Sequence, residues 1–293
     1  MKKKTRGIIL LLISALLYSS ISILIRVLDQ GGLPPVIQVL TRYIFGFMIA
    51  SVFYALTAKK RFDFKSRGIP LLVVSAIVGY GLTNLFFTFG VINTQIGNAL
   101  FFFYSWAVIA PVLAYLILRE QLNKFNIVAL VIVFLALLLL FSPNSLPTWK
   151  IGAVFSLLAA LGQSFYVVVR RKLTYSSQVL MVANTLFGTL TMLLLAIVFE
   201  WEFMFNGGIL EVTFQTWLVG AIFGAVNFSA WYFMSKGFEY VQAKTGSIIL
   251  LIENVFALLW AFLIYSEIPT VWTFLGGVLL FVAGVMVILK GEN

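Results

Sequence analysis

Gly7–Leu28 reads GIILLLISALLYSSISILIRVL, and this apolar stretch decides the class of fold. A helix needs about 20 mostly apolar residues to cross the hydrocarbon core of a bilayer, and this stretch supplies them. Four basic residues precede it, as they would in a signal peptide. Because the stretch is long enough to span a bilayer and has no clear small-residue cleavage site, we predict a retained first transmembrane helix.

The rest of the chain has the same character. Of its 293 residues, 62% are hydrophobic and 10% are charged, and the mean hydropathy is +1.06. A soluble domain of this size needs far more charge to cover its surface, so the surrounding solvent is expected to be lipid. The sequence predicts an all-α membrane protein with ten transmembrane helices, which are Gly7–Leu28, Val36–Thr57, Ile69–Val91, Gly97–Leu118, Phe125–Phe141, Lys150–Val169, Gln178–Phe199, Phe214–Met234, Thr245–Tyr265 and Thr270–Leu289.

The positions of lysine and arginine predict how these helices are oriented. If the N-terminus lies in the cytoplasm, 17 of the 20 basic residues fall in cytoplasmic segments, and Arg26, Arg42 and Lys150 are the exceptions. Cytoplasmic loops are enriched in Lys and Arg, and an even number of spans then places both termini in the cytoplasm. We expect a protein integral to the plasma membrane, which is the inner membrane in a bacterium. The net charge of +10 is spread over these loops, so no nucleic-acid partner is expected.

The two halves of the chain share an internal repeat. Glu120 and Glu267 each follow an apolar helix and precede a final one, and they are 147 residues apart. Further aligned pairs are Gly90 with Gly237, Gln95 with Gln242 and Ala136 with Ala283 at that offset, Phe45 and Gly46 with Phe187 and Gly188 in helices 2 and 7, and Ala15 with Ala159, Ser20 with Ser164 and Arg26 with Arg170 in helices 1 and 6.

The number of helices in each unit determines how the units are related. Residues 1–143 and 149–293 form the two predicted units, each with five helices, so the second unit must enter the membrane in the opposite sense. Inverted repeats of this kind are typical of secondary transporters, which bind substrate near the midplane between the repeats.

Several stretches resemble a known family. Leu251–Ala257 (LIENVFA), Ile264–Glu267 (IYSE), the pair Gly276 and Gly277, and Ala283–Val285 look like the second EamA domain of the drug/metabolite transporter superfamily. The first half is similar through Pro111–Glu120 and the helix that follows, so the resemblance covers nearly the whole chain. It implies ten helices in two EamA-like repeats, alternating access, and export or uptake of small metabolites such as amino acids.

Two ionisable residues lie inside predicted spans, where such residues are costly and are functional candidates by default. Glu253 lies about 12 Å from the cytoplasmic edge and could bind a cationic substrate group, carry a coupling proton or accept helix-packing hydrogen bonds. Arg42 lies about 9 Å from the outer edge. It could reach Glu253, bind a carboxylate or snorkel outward, and we expect snorkelling or a structural pairing. Its repeat counterpart is the neutral Asn184.

Polar and aromatic side chains at helical spacing are expected to line a cavity between the repeats. Glu253 aligns with Trp106 at the 147-residue offset, so these two residues are expected to meet across it. Aromatic side chains in membrane helices more often serve packing or interfacial anchoring, so only about half of the set is expected to contact substrate. The predicted substrate-binding residues are Glu253, Trp106, Tyr104, Phe102, Asn98, Asn84, Tyr80, Asn227, Trp231, Tyr18, Ser22, Gln163 and Tyr166.

The composition excludes several classes of enzyme. The chain has no histidine and no cysteine, so serine and zinc proteases lack their catalytic groups and no metal or other cofactor is expected. Asp29 and Asp63 are the only aspartates and lie in predicted loops, which excludes a buried aspartyl dyad. The phosphate-binding motif GxxxxGK(S/T) is absent as well. We predict a chain that is not an enzyme.

The function predicted from the sequence is secondary transport of small organic metabolites by alternating access, with amino acids or related compounds and export favoured. A transporter of cationic amines, quaternary ammonium or drug-like compounds is the alternative, since Glu253 with aromatic rings could attract a cation. A receptor or scaffold that binds without moving its ligand is the alternative from a different class. The expected partners are a small-molecule substrate and the lipid bilayer, and the glycines of helices 8 and 10 could also serve a homodimer.

Overall fold

A computed structural model of the protein describes residues 3–57, 68–94, 96–140, 150–265 and 271–290. Within these ranges the chain forms α-helices and two π-helical segments, and no strand. The helices are α1 (Lys3–Tyr18), α2 (Ile21–Gln30), α3 (Pro35–Thr57), α4 (Ile69–Val74), π1 (Ser75–Leu82), α5 (Thr83–Asn93), α6 (Ile96–Tyr104), α7 (Trp106–Leu113), π2 (Ala114–Leu118), α8 (Lys124–Leu140), α9 (Lys150–Lys172), α10 (Ser177–Phe199), α11 (Trp201–Phe205), α12 (Gly208–Glu211), α13 (Phe214–Gly237), α14 (Ala243–Leu250), α15 (Glu253–Tyr265) and α16 (Val271–Lys290).

Six helical stretches are long and apolar enough to cross a membrane, counting adjoining helices together. They are Lys3–Gln30, Pro35–Thr57, Ile69–Asn93, Ile151–Lys172, Ser177–Phe199 and Phe214–Gly237. Shorter apolar stretches lie in the four other predicted spans, at Phe102–Leu118, Lys124–Leu139, Thr245–Phe256 and Phe274–Ala283. The all-helical membrane architecture is confirmed, and the count of ten spans stays a prediction.

The bundle is apolar on its outside and partly polar inside. Large apolar side chains such as Leu56, Val198 and Phe199 are exposed, whereas Asn184 and Asn227 are completely buried. In water the exposed apolar area would be unfavourable, but lipid tails are as apolar as these side chains. The distribution therefore fits a protein that is integral to a membrane.

Helices α3 and α10 are equivalent in the repeat, and they contact each other reciprocally. A Cβ atom on Gly46 would lie 3.4 Å from the Thr185 methyl group, and one on Gly188 would lie 2.9 Å from the Tyr43 ring. Gly46 and Gly188 are equivalent, and so are Tyr43 and Thr185, which is the pattern that a two-fold axis produces. The lower-numbered Tyr43 of α3 contacts the higher-numbered Gly188 of α10, and Gly46 contacts Thr185. The two equivalent helices therefore run antiparallel. This is the inverted relation expected from the sequence.

Other helices of the two halves also pack on each other reciprocally. Helix α5 of the first half packs on α9, and α13 of the second half packs on α1. Glycines allow these close approaches, because a Cβ on Gly90 would collide with Ser156 and one on its equivalent Gly237 would lie 2.7 Å from Leu11. Helices α8 and α16 pack on each other. These packed pairs join helices of the first half to helices of the second.

Three predicted spans are interrupted where the sequence predicted continuous helices. The first is broken at Ser19 and Ser20, the fourth at Ser105, and the ninth at Leu251 and Ile252. Ser105 and Ile252 are equivalent at the 147-residue offset, so both halves carry this break. Broken helices near the midplane often form the binding sites of transporters.

Side-chain hydrogen bonds explain the breaks. Ser19 and Ser105 each donate from Oγ to the carbonyl three residues earlier, at 2.6 and 2.7 Å. The Asn254 amide donates to the Leu251 carbonyl at 3.2 Å. Such bonds offer the backbone an alternative to the regular helical ladder, so the helix can bend or stop without leaving polar groups unpaired.

Glu200 joins the end of α10 to the start of α3. Its two carboxylate oxygens accept hydrogen bonds from the backbone N–H groups of Val36 and Ile37, both at 2.9 Å. These N–H groups have no partner within their own helix, and the positive end of the helix dipole adds to the attraction.

We therefore expect Glu200→Ala to lower the free energy of unfolding by about 1–2 kcal/mol, as the loss of an N-cap does. The measurement is the thermal unfolding midpoint of the purified protein in detergent. Glu202→Ala is the matched control, since Glu202 is exposed on the neighbouring turn. Equal midpoints for the two variants would show that Glu200 contributes nothing to the packing of α3 on α10.

Candidate functional site

A small cavity, with a volume of about 30 Å³, lies between the helices near the middle of the bundle. Its wall is formed by the region around the α1–α2 break and by α5 and α6 of the first half, with single residues from α9, α13 and α15. Small-molecule sites are concave and mostly apolar with a few polar groups, and this wall has that composition. The lining residues are Tyr18, Ser19, Ile21, Ser22, Thr83, Asn84, Phe87, Leu100, Phe103, Tyr104, Gln163, Trp231 and Glu253.

Seven of the residues predicted from the sequence are brought together here, namely Tyr18, Ser22, Asn84, Tyr104, Gln163, Trp231 and Glu253. Three more form a second layer behind Trp231, namely Tyr80, Tyr166 and Asn227. Phe102 is half-buried outside the lining. The side chain of Asn98 lies outside what the structure describes.

The predicted meeting of Glu253 with Trp106 is not observed. Trp106 is buried but does not line the cavity, and its carbonyl accepts a hydrogen bond from Ser164 on α9 at 3.3 Å. Residues two apart on a helix lie about 200° apart around its axis, so Tyr104 and Trp106 point to different sides. Tyr104 therefore lines the cavity, and Trp106 packs behind it.

Glu253 is the only carboxylate among the described residues of the cavity wall and is the first residue of α15. It is 7% exposed, and the Tyr104 hydroxyl lies close enough to interact with its carboxyl group. No basic side chain forms a salt bridge with it among the described residues. A buried carboxylate without a cation is costly, so the site favours a positively charged partner or a proton.

Trp231 forms the centre of an aromatic cluster beside Glu253. Its ring lies edge-on to Tyr18, Tyr80 and Tyr166, with centroids 6.0, 4.5 and 4.7 Å away. Its indole Nε1 is buried and has no hydrogen-bond partner among the described residues. Because a buried indole N–H normally finds a partner, Trp231 could donate to an acceptor on a bound molecule.

Two asparagines hold the tyrosines of this cluster in place. Asn227 donates to the Tyr80 hydroxyl at 2.8 Å, and Asn184 donates to the Tyr166 hydroxyl at 2.9 Å. Tyr80 and Asn227 are themselves equivalent at the 147-residue offset. A residue meets its own counterpart only close to a two-fold axis, so the cluster lies at the centre of the molecule.

The cavity wall also contains equivalent pairs. Ser19 corresponds to Gln163 and Asn84 to Trp231, and all four line the cavity. Other lining residues of the first half have counterparts outside the lining. Ile21, Ser22, Phe87, Leu100 and Phe103 line the cavity, whereas their respective counterparts Phe165, Tyr166, Met234, Ser247 and Leu250 do not.

This asymmetry shows that the cavity extends toward one end of the bundle. We call the end of the bundle where α1 begins the N-terminal end. At this end Gly7 packs against Gly237 and Val241. The cavity extends away from it, because Ile21 and Ser22 lie beyond the α1–α2 break.

Arg42 does not snorkel, and its contacts are of the structural kind that was the other expectation from the sequence. Its side chain is 0% exposed, and Nη2 donates to the Asn84 carbonyl at 2.9 Å and to Thr88 Oγ1 at 3.2 Å. These acceptors on α5 lie inside the bundle, so the guanidinium turns inward. It does not form a salt bridge with Glu253 or with any other described carboxylate.

A polar network lies at the N-terminal end of the bundle. Arg170 on α9 donates from Nε to Ser235 Oγ at 2.7 Å and from Nη2 to Glu239 Oε1 at 2.8 Å. Glu239 also accepts from Ser177 Oγ at 2.7 Å and from Lys236 Nζ at 2.6 Å. We call these five residues the Arg170–Glu239 network. Arg170 is 4% exposed, whereas Lys236 and Glu239 are 21% and 22% exposed, so the network ties α9, α10 and α13 together at the edge of the bundle.

The sequence did not single out Ser19, Ile21, Thr83, Phe87, Leu100 or Phe103. Ser19 could have been found, because its repeat counterpart Gln163 was predicted to line the cavity. The apolar residues carry no such signal, since membrane helices are apolar on every face.

The comparisons with known proteins agree with this architecture. The EamA-like transporter family matches residues 5–142 and 150–289. An uncharacterized transporter of Clostridium kluyveri is 25% identical over 296 residues, covering 96% of this chain and 92% of the relative. A pseudopaline exporter, CntI of Pseudomonas aeruginosa, is 22% identical over 277 residues and 94% of both chains.

The fold is also found among solved structures. One crystal structure superposes with a TM-score of 0.78 over 98% of both chains, at 14% sequence identity. The likeness at this identity concerns the fold alone.

Proposed function

The chain belongs to the EamA-like transporter family, and from this premise we propose that it is a secondary transporter of small organic metabolites, with amino acids or related compounds as substrates. The cavity lies on the pseudo-two-fold axis between the repeats, where transporters of inverted-repeat architecture bind substrate. The proposed repeats are residues 1–143 and 149–293, with ten spans in total.

One observation carries the choice of substrate class. Glu253 lacks a cation, and Trp231 in the same wall has an unpartnered N–H group. An ammonium group would satisfy the first, and a carboxylate or carbonyl oxygen would satisfy the second. A zwitterion supplies both groups in one small molecule. The apolar remainder of the wall would accept its side chain.

The difference between the two ends of the bundle supports alternating access. The Arg170–Glu239 network lies at the N-terminal end, and the cavity extends toward the other end. In the second state we expect the repeats to exchange roles, so that Ser247 and Met234 line the cavity in place of Leu100 and Phe87.

The proposed orientation places the network at the cytoplasmic side of the plasma membrane, with both termini in the cytoplasm. The structure then corresponds to a state closed to the cytoplasm. We favour export as the direction, because a relative that matches 94% of this chain is named an exporter.

A transporter of cationic amines is the second candidate. Tyr18, Tyr104 and Trp231 line the cavity together with Glu253. A carboxylate among aromatic rings can hold an ammonium group by charge and by cation–π attraction, and neither requires a carboxylate on the substrate.

Reconstitution into liposomes tests these proposals. A thermal-shift panel of amino acids and quaternary ammonium compounds would select the ligands, and their flux would be measured with and without a proton gradient. Flux of an amino acid supports the first candidate, and flux of ammonium compounds alone supports the second. A solute that binds but never moves would favour a receptor or scaffold.

A further inference from the structure

Arg42 is a buried guanidinium at the side of the cavity that belongs to the first half. It lies on α3 and donates twice to α5, to the carbonyl of Asn84 and to the hydroxyl of Thr88. Asn84 itself lines the cavity, so Arg42 lies directly behind its wall. Aromatic rings cover the guanidinium, with Phe223 at 4.8 Å and Tyr43 at 5.6 Å from its central carbon.

These contacts leave most of the guanidinium unsatisfied. Both hydrogen bonds use Nη2, whereas Nε and Nη1 are buried with no partner among the described residues. No described carboxylate forms a salt bridge with Arg42. Burying an unpaired cation costs several kcal/mol, and in a membrane such groups are found along substrate pathways.

A purely structural role explains only part of this arrangement. Holding α3 against α5 needs a donor to Asn84 and Thr88, and a neutral side chain could supply it without the cost of a buried charge. Gln38 lies one turn earlier on α3 and has an unpartnered Oε1. One neutral amide oxygen would satisfy one N–H of Arg42 and would leave the charge itself unbalanced.

We propose that Arg42 is the anion-binding residue of this transporter and takes the carboxylate of the substrate. The inference rests on the proposed function, and it assigns the two charges of a zwitterion to the two repeats. Glu253 of the second half receives the ammonium group, and Arg42 of the first half receives the carboxylate, whose second oxygen can accept a hydrogen bond from the Trp231 N–H group. The repeat counterpart of Arg42 is Asn184, which is neutral and donates a hydrogen bond to Tyr166. Only the first half therefore offers a cation at this position of the repeat.

The test uses two probes that differ in charge alone, 3-phenylpropionate and 3-phenylpropionamide, with the purified full-length protein in detergent. Equilibrium binding is measured for the wild type, Arg42→Gln and Arg42→Lys. We expect the wild type to bind the carboxylate at least about tenfold more tightly than the amide, since an unpaired buried charge is costly. The ratio should fall to about one in Arg42→Gln and be partly retained in Arg42→Lys, which keeps the charge.

Arg26→Gln is the matched control, because it removes an exposed arginine of the neighbouring α2 and should keep the wild-type ratio. A ratio near one in the wild type, binding of neither probe, or an unchanged ratio in Arg42→Gln would overturn the proposal. Should Arg42→Gln fail to fold, the wild-type ratio and Arg42→Lys still decide the matter. The assay measures binding and requires no flux. It can therefore support or contradict this proposal even if the reconstituted protein transports no solute.

Discussion

Replacing Glu253 with glutamine should abolish transport or uncouple it from a proton gradient, while the protein stays folded. The substitution keeps the shape of the side chain and removes the only carboxylate among the described residues of the cavity wall. An ammonium group would then enter the cavity without a counter-charge, and the rate should fall by about tenfold or more. Stability should change little, because no described cation is left unpaired.

Proteoliposome flux with and without a proton gradient measures this effect, and the thermal unfolding midpoint checks the fold. Glu202→Gln is the matched control, since it removes a glutamate that is exposed outside the cavity. Wild-type flux and wild-type pH dependence in Glu253→Gln would assign Glu253 to helix packing and would remove it from the transport mechanism.

Glu239→Gln should open the N-terminal end of the bundle. Glu239 accepts hydrogen bonds from Arg170, Ser177 and Lys236, and the variant would leave a buried arginine without its charged partner. Losing a hydrogen bond to a charged group costs about 1.5–3 kcal/mol, which is enough to shift a two-state equilibrium by about tenfold or more.

Single cysteines can report this shift, because the chain has none of its own. Ser247 is completely buried, whereas its counterpart Leu100 lines the cavity. We expect a maleimide to label Ser247→Cys slowly in the otherwise unchanged protein and faster once Glu239→Gln is added. Leu100→Cys should show the opposite change.

Glu211→Gln provides the control, since Glu211 is exposed and belongs to no part of the network. Labelling rates that do not respond to Glu239→Gln at either position would exclude the network as a gate. A higher labelling rate at both cysteines would indicate that the whole bundle loosens. That result would also contradict an exchange of roles between the repeats.

The same network should depend on pH in a defined direction. Burial acts to raise the pKa of Glu239, but hydrogen bonds from Lys236 and Ser177 and the charge of Arg170 outweigh it, so its pKa lies below the usual value of 4.5. A group with a lowered pKa contributes its full stabilisation above 4.5 and loses it as the pH falls through the folded value. Acidification below 4.5 should therefore speed the labelling of Ser247→Cys in the protein with an intact network.

Length and hydropathy of the segments were enough to predict the membrane class, and the aligned residues were enough to predict the inverted repeat. The reason is that the bilayer imposes a minimum length on every span and that five helices per unit force an inversion. Glu253 was found for a related reason, since a carboxylate within an apolar span stands out from its surroundings.

Only the tertiary structure decided which side chains meet at the cavity. Helical geometry alone places Tyr104 and Trp106, two residues apart, on different sides. It does not say which of the two faces the cavity, and the packing of the helices puts Tyr104 in the wall and Trp106 outside it. Hydropathy does not predict whether the Arg42 side chain points toward water or into the bundle. Two acceptors on α5, the Asn84 carbonyl and the Thr88 hydroxyl, turned it inward. A residue's depth in the membrane can be read from its position in the chain, whereas its direction depends on polar groups that a neighbouring helix brings within hydrogen-bonding distance.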